Sequence, residues 1–310
     1  MIGIEATARR GERARTRPAE QRNTHPPELE DWLNARIYHP LADRLADALA
    51  ATPATPNMVS FAGWMLIVAA AFLYTGLPWP VAVLLGFPVH ALWHVFDGAD
   101  GALARRTGKS SPIGELVDGV CDYTGHIILY IALAAILDDR LGIWAWILAA
   151  VSGASRILQS SHAEGQRRIY LWRVYDIPWL KNAYESGDGR LDRAGFFSRL
   201  FEPLARLYVA LASASDPLGA RIDALIAATK DRPEAREEMS LVCRRAARAP
   251  LRTQTLLGPN WRTIALGLSM AAGSPLWFFL FEAVPLNLLL LWSQRLQRRA
   301  DLAIVARLSA

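Results

Sequence analysis

Two apolar segments, Val81–Phe96 and Asp118–Leu137, are joined by a stretch holding Asp97, Asp100, Asp118 and Asp122, where hydropathy alone would call for uncharged residues. Ionisable side chains at the ends of membrane helices are costly and functional by default. Whatever fold the chain takes must therefore bring these acids into a setting that tolerates them. If Val81–Ala104 is helical, Asp97, Asp100, Gly101, Ala104 and Arg105 fall at i, i+3, i+4, i+7 and i+8, which is one face. A second helix from Gly114 puts Gly114, Asp118 and Asp122 at i, i+4 and i+8. The short polar connection Thr107–Pro112 turns the two stripes toward each other.

Four close carboxylates cannot all stay ionised without cations, because like charge and desolvation both favour the protonated form. The ligands are all hard oxygen, with no Cys or His at metal spacing among them, which favours Mg2+ or Mn2+ over zinc. Two such ions would offset the four charges and clamp a phosphoryl group undergoing displacement. Gly101, Ala104 and Gly114 lack bulk, so the helices can approach closely or admit a ligand to the backbone. Arg105 can pair with phosphate in bidentate fashion. The competing reading, ordinary surface acids on a water-exposed turn, leaves their shared register unexplained.

The pattern Asp97-x2-Asp100-Gly101-x2-Ala104-Arg105, then Gly114-x3-Asp118-x3-Asp122, resembles the complete signature of the CDP-alcohol phosphotransferases, with all eight fixed positions matched. The flanking run Ala104-Arg105-Arg106-Thr107 and the run Ser110 to Leu116 resemble the choline and ethanolamine phosphotransferase branch. The resemblance implies a membrane enzyme that displaces CMP from a CDP-linked donor by attack of an alcohol hydroxyl. By position, Asp97, Asp100 and Asp118 would bind the metal pair, and Asp122 would complete the site and act as general base. Gly101, Ala104 and Arg105 would hold the cytidine diphosphate, with Gly114 leaving room for it. The resemblance also implies a homodimer. Thr55-Pro56-Asn57 is similar to a short element at the start of the family's first span; Asn57 either lines the site or belongs to a plain capping turn.

With 310 residues, 52% hydrophobic and 20% charged, the chain mixes membrane spans with polar segments. A net charge of +5, spread over scattered Arg, reads as attraction to anionic headgroups rather than to nucleic acid. Cys121 and Cys243 form no paired motif, so no disulfide is expected.

Taken in order, residues 1–28 read as a disordered cytoplasmic tail without a signal-peptide apolar run. Residues 29–54 read as an amphipathic interfacial helix, with Leu29, Trp32, Leu33, Ile37, Leu41, Leu45 and Leu49 near helical spacing. Residues 55–162 hold four expected spans, Val59–Tyr74, Val81–Phe96, Asp118–Leu137 and Leu141–Leu158. Residues 163–256 read as a cytoplasmic helical insert, with an apolar stripe at Phe197, Leu200, Phe201, Leu204, Tyr208 and Leu211. Residues 257–310 hold a third pair of spans, Trp261–Phe281 and Val284–Trp292, and the C-terminal tail. A span needs about 20 residues, and the expected fold is an all-α integral membrane protein of about six transmembrane helices. Arg140 is the only Lys or Arg in the three short connections on one side, which puts both termini and the aspartate motif in the cytoplasm, at an inner membrane.

Several intramembrane polar residues are acceptor-site candidates. His90 and His94 lie at i and i+4, with Asp97 continuing the row; Ala91 rules out the HExxH zinc pattern. His94 either bonds within the bundle or supports the site, and His126, one turn past Asp122, can contact the acceptor. Ser155 and Arg156 interrupt an apolar segment, where Arg156 either meets the acceptor or snorkels to the interface.

The preferred reading is phosphatidyl transfer from CDP-diacylglycerol to a small polar alcohol in membrane lipid synthesis. The alternative is transfer of a phospho-headgroup from a soluble CDP-linked donor to a lipid alcohol. An intramembrane prenyltransferase would show a second Asp-rich motif far along the chain. A divalent-cation transporter would want polar residues at mid-span depth rather than acids at one face beside an Arg.

Overall fold

The computed structural model describes residues 26–177, 217–229 and 231–308. Most of the expected N-terminal tail and the whole stripe Phe197–Leu211 lie outside them. Every regular element among the described residues is helical. We number the α-helices α1 His39–Ala50, α2 Pro56–Gly76, α3 Val81–Thr107, α4 Pro112–Leu141, α5 Ile143–Tyr175, α6 Pro217–Ala227, α7 Pro233–Leu256, α8 Pro259–Ala271, α9 Leu276–Ala283 and α10 Pro285–Leu308.

The two motif helices begin and end where local chemistry dictates. Thr55 caps α2 by accepting a hydrogen bond from Met58 N, and Pro56 takes the first helical position. Ser111 repeats the device for α4, accepting from Gly114 N at 3.0 Å ahead of Pro112. Proline suits that position because its missing N–H would go unbonded anyway. Between the helices, Gly108 at φ 66° ends α3 in a left-handed turn, a conformation that costs a residue without Cβ little.

The principal core gathers Ile67, Ala71 and Tyr74 of α2, Trp93 of α3, Leu129 and Leu133 of α4, Ala145 of α5, Leu266 of α8 and Phe278 and Phe279 of α9. A second cluster joins the tail of α5 to α6, α7 and α10 through Tyr170, Ile222, Met239, Cys243 and Ile304. The hinge between these regions is α5 itself, which runs unbroken through the boundary expected at residue 162.

Among the described residues, four helices are long and apolar enough to cross a membrane: Pro56–Gly76, Val81–Thr107, Gly114–Leu141, and Leu276–Arg307 taken across the step at Val284. The expected span Trp261–Phe281 is instead two shorter helices, α8 and α9, parted at Gly273 with φ 81°. The break falls at Gly273-Ser274-Pro275, a run of turn-forming residues that the expected span passed over.

Within residues 29–54, residues 32–50 are helical without a break. A π-turn over Asn34–Tyr38 precedes α1, and α1 buries Ala42 and Ala46 against Val95, Ala99, Ala102 and Leu103. The larger apolar side chains Trp32, Ile37 and Leu41 stay exposed. Small residues thus make the centre of the joint to the motif helix, with Tyr38, Leu45 and Leu49 packed against it. Arg106 of α3 closes this joint, reaching Asp43 at 2.8 Å and Asp47 at 2.9 Å.

Candidate active site

Helices α3 and α4 bring the predicted acids together. Asp97, Asp118 and Asp122 each offer a carboxylate oxygen such that all three lie within 4.8 Å of one another. Asp100 is buried and reaches Asp118. Its carboxylate accepts a hydrogen bond from Ser60 Oγ at 2.5 Å on α2 and one from Gly101 N. An all-oxygen set converging at this spacing fits a hard divalent cation, so the donor set passes the chemical test for the ions the sequence calls for.

Gly101 follows Asp100 on α3, and Gly114 stands one turn before Asp118 on α4. A Cβ on Gly101 would come 3.3 Å from Arg105 Nη1, and one on Gly114 would come 3.2 Å from Ser111 Oγ and 3.7 Å from Asn57 Oδ1. Asn57 is therefore at the same mouth as Gly114, on the capped start of α2. Arg105 and Asn57 are exposed and Ala104 is half-buried, which leaves this rim open to a ligand from outside the bundle.

Behind the acids the interior is polar and aromatic. Trp93 Nε1 donates to Asp122 Oδ1 at 2.9 Å. His126 Nδ1 lies 2.7 Å from the carbonyl oxygen of Asp122, one turn earlier, and its Nε2 is buried without a partner. His94 pairs with Thr263 at 2.9 Å and stacks on Tyr38, with ring centroids 4.7 Å apart. Both ring nitrogens of His90 are buried without a hydrogen bond.

Ser155 and Arg156 are both engaged between helices. Ser155 Oγ accepts from Asn287 Nδ2 at 2.8 Å. Arg156 Nη1 lies 3.7 Å from Glu282 Oε1, and its guanidinium sits 6.0 Å from the centre of the Tyr130 ring. Glu282 accepts a hydrogen bond from the Tyr130 hydroxyl. Arg262 Nε approaches the same carboxylate at 3.1 Å without hydrogen-bond alignment, while its other nitrogens donate to Gln159, Leu257 O and Ser160. Arg156 thus meets a carboxylate inside the bundle.

Sequence reasoning missed Ser60, Trp93, Glu282 and Arg262. Trp93 stands one turn before Asp97, and Ser60 one turn after Pro56 at the capped start of α2. Both could have been found by extending the motif face backward by one turn. Glu282 is an acid inside the apolar run Leu276–Val284, the same signal that drew attention to Asp97.

Residues 53–166 match the family model for CDP-alcohol phosphatidyltransferase. Among curated relatives, choline/ethanolaminephosphotransferase 2 of Arabidopsis thaliana is 34% identical over 105 residues, covering 31% of this chain and 27% of the relative. Archaetidylinositol phosphate synthase of Aeropyrum pernix is 32% identical over 144 residues, 44% of this chain and 64% of the relative. Cholinephosphotransferase 1 of Gallus gallus is 32% identical over 121 residues, 37% of this chain and 34% of the relative. The chain therefore spans about a quarter of the plant relative's length and under two thirds of the archaeal one.

Proposed function

We propose, from the premise that residues 53–166 form a CDP-alcohol phosphatidyltransferase domain, that this chain transfers a phosphatidyl group from CDP-diacylglycerol to a small polar alcohol and releases CMP. The observation that supports this most is the convergence of Asp97, Asp118 and Asp122 within 4.8 Å, with Arg105 and Gly101 at the open rim. In this reading Asp97, Asp100, Asp118 and Asp122 hold two divalent ions, Mg2+ or Mn2+. Ions bound there supply positive charge to the phosphate oxygens and the leaving group.

The chain's own residues do the rest. Arg105 pairs with the diphosphate, Gly101 and Gly114 leave space for it, and Ala104 and Asn57 line its mouth. Asp122 accepts the proton of the acceptor hydroxyl. The hydroxyl oxygen bonds to the phosphorus that carries the lipid, and the bond from that phosphorus to the bridging oxygen breaks, so CMP leaves with the electron pair. His126, His94, Ser155 and Arg156 form the polar interior toward which the acceptor lies. Arg156, Arg262 and Glu282 together carry one net positive charge, which favours a neutral or singly anionic polar acceptor over a fatty one.

The proposal extends to six crossings, by α2, α3, α4, the first part of α5, the α8–α9 pair and α10. Both termini and the acid cluster face the cytoplasm, where CDP-activated donors are found, residues 29–54 lie on that face, and the protein is a homodimer. A second reading is favoured by the names of the plant and avian relatives: transfer of a phospho-headgroup from CDP-choline or CDP-ethanolamine to a lipid alcohol. CMP release from purified protein with Mg2+ separates the two. Acceptor-dependent CMP from CDP-diacylglycerol supports the first reading, and CMP from the soluble donors alone supports the second. Silence with every donor from folded protein would refute the enzyme reading itself.

A further inference from the structure

We infer that Trp93 is a positioning residue for the transfer reaction, holding one oxygen of Asp122 so that the other faces the acid cluster. The inference rests on the reading of Asp122 as the proton acceptor. Its geometry stands independently: the indole is 3% exposed and its Nε1 lies 2.9 Å from Asp122 Oδ1.

The indole has little freedom to do anything else. Its ring meets His126 edge-on at 4.7 Å between centroids and His94 at 4.5 Å, and Gly63 of α2 admits it, since a Cβ there would touch Trp93 Cδ1 at 3.4 Å. Held on three sides, the N–H points at one acceptor. An indole N–H donates and never accepts, so it cannot compete with Asp122 for a proton or a cation. A carboxylate left without such a donor swings about its terminal torsion, which is broad and roughly two-fold. The bond removes that choice at a carboxyl that also reaches Asp97.

The pairing also joins the two motif helices. Trp93 lies one turn before Asp97 on α3, so the helix that supplies one acid orients another acid on α4. His126 secures the backbone of the same residue through its bond to the Asp122 carbonyl. Asp122 is thus held at both its side chain and its main chain by aromatic residues that touch each other.

The test compares the parent with Trp93→Phe and with the sulfur isostere benzothienylalanine placed at position 93, which keeps the ring's shape and removes only the N–H. We expect kcat for CMP release to fall about 100-fold in both, the loss a 1 Å misplacement can cause, with KM for the CDP-linked donor unchanged in both and the detergent melting temperature unchanged in the isostere, while Trp93→Phe also loses core volume and melts lower. An active parent with isostere activity equal to it overturns this inference alone. So does a loss of kcat, donor KM and melting temperature in step in the isostere, which would make the indole merely structural. A parent silent with every donor overturns the reading of the site, and this inference with it.

Discussion

The buried carboxylate of Glu282 offers a sharp test of how the bundle is held together. It is 0% exposed, accepts from Tyr130, and sits 3.1 Å from Arg262 and 3.7 Å from Arg156. Two guanidiniums and one carboxylate leave one net positive charge; Glu282→Gln leaves two, in the same volume. Removing one partner of a buried ion pair costs about 3–5 kcal/mol, because the survivors stay buried without compensation. Glutamine keeps an acceptor for Tyr130 and belongs at the lower end of that range. Glu282→Ala also orphans the Tyr130 hydroxyl, adding roughly 1–3 kcal/mol. At roughly 2 °C per kcal/mol for a chain of this size, the melting temperature should fall about 6 °C in the glutamine variant and about 10 °C in the alanine variant. The assay is intrinsic tryptophan fluorescence during heating in detergent. A third variant, Arg156→Met with Glu282→Leu and Arg262→Met, removes every charge at once and should melt above Glu282→Ala even though it leaves Tyr130 and the partners of Arg262 unpaired, since apolar replacement of a whole buried ion cluster is often neutral. Single variants indistinguishable from the parent, or a triple variant as unstable as Glu282→Ala, would refute the reasoning.

The acid cluster separates binding from chemistry: Asp122→Asn should abolish CMP release while sparing CDP-donor binding more than Asp97→Asn does, and equal loss of binding in both would remove the distinction. Chelation with EDTA should stop turnover and excess Mg2+ or Mn2+ restore it; activity that survives exhaustive chelation would exclude the proposed ions. Gly86→Ala should cost about 1–3 kcal/mol through overpacking, because its Cβ would sit 2.8 Å from the buried Tyr74 ring, and Tyr74→Leu should relieve it; a Gly86→Ala protein that melts with the parent would show the ring can yield. Outside the bundle, Glu28 accepts hydrogen bonds from Tyr170 and Tyr175 at 2.7 Å each. Burial pushes its carboxyl up, but the bonds from Tyr175 and Tyr170 and the charge of Arg244 outweigh that and hold it below the usual carboxylate value. A lowered value means the stabilisation is present above the unfolded carboxylate pKa and is lost as pH falls through the folded one. The melting difference between parent and Glu28→Gln should therefore be full at pH 7 and shrink below about pH 4.5; a difference that grows on acidification would contradict this.

The acid-bearing helices were legible because their signals are local and periodic. Asp97, Asp100 and Arg105 share a face by spacing alone, and the Thr-Pro and Ser-Pro starts of α2 and α4 announce their caps in two letters each. What escaped depends on partners distant in sequence. Arg156 reads alike whether it snorkels or meets Glu282, and that pairing spans 126 positions (282 − 156). Trp93 looks like any apolar residue of α3 until Asp122 of α4 is placed beside it. The break at Gly273-Ser274-Pro275 is spelled in turn residues, but hydropathy averaged over a span smooths it away. In α1, reading the row of large apolar residues as the side laid on the membrane gave no sign of Ala42 and Ala46, which are small enough to bring two helices close.

Helix α3 has 27 residues, about 40 Å at 1.5 Å per residue. Hydrocarbon in a bilayer is about 30 Å thick. With Val81 at one boundary, Asp97 comes roughly 24 Å along the axis and Thr107 roughly 39 Å, so the acids sit just inside the opposite boundary while Arg105 and Arg106 rise past it. At that height a single molecule can keep its fatty chains in oil and its charged head in water without leaving either. For the proposed transfer, no reactant need then be lifted out of the membrane or pulled into it: the length of one helix would set the meeting point at the surface.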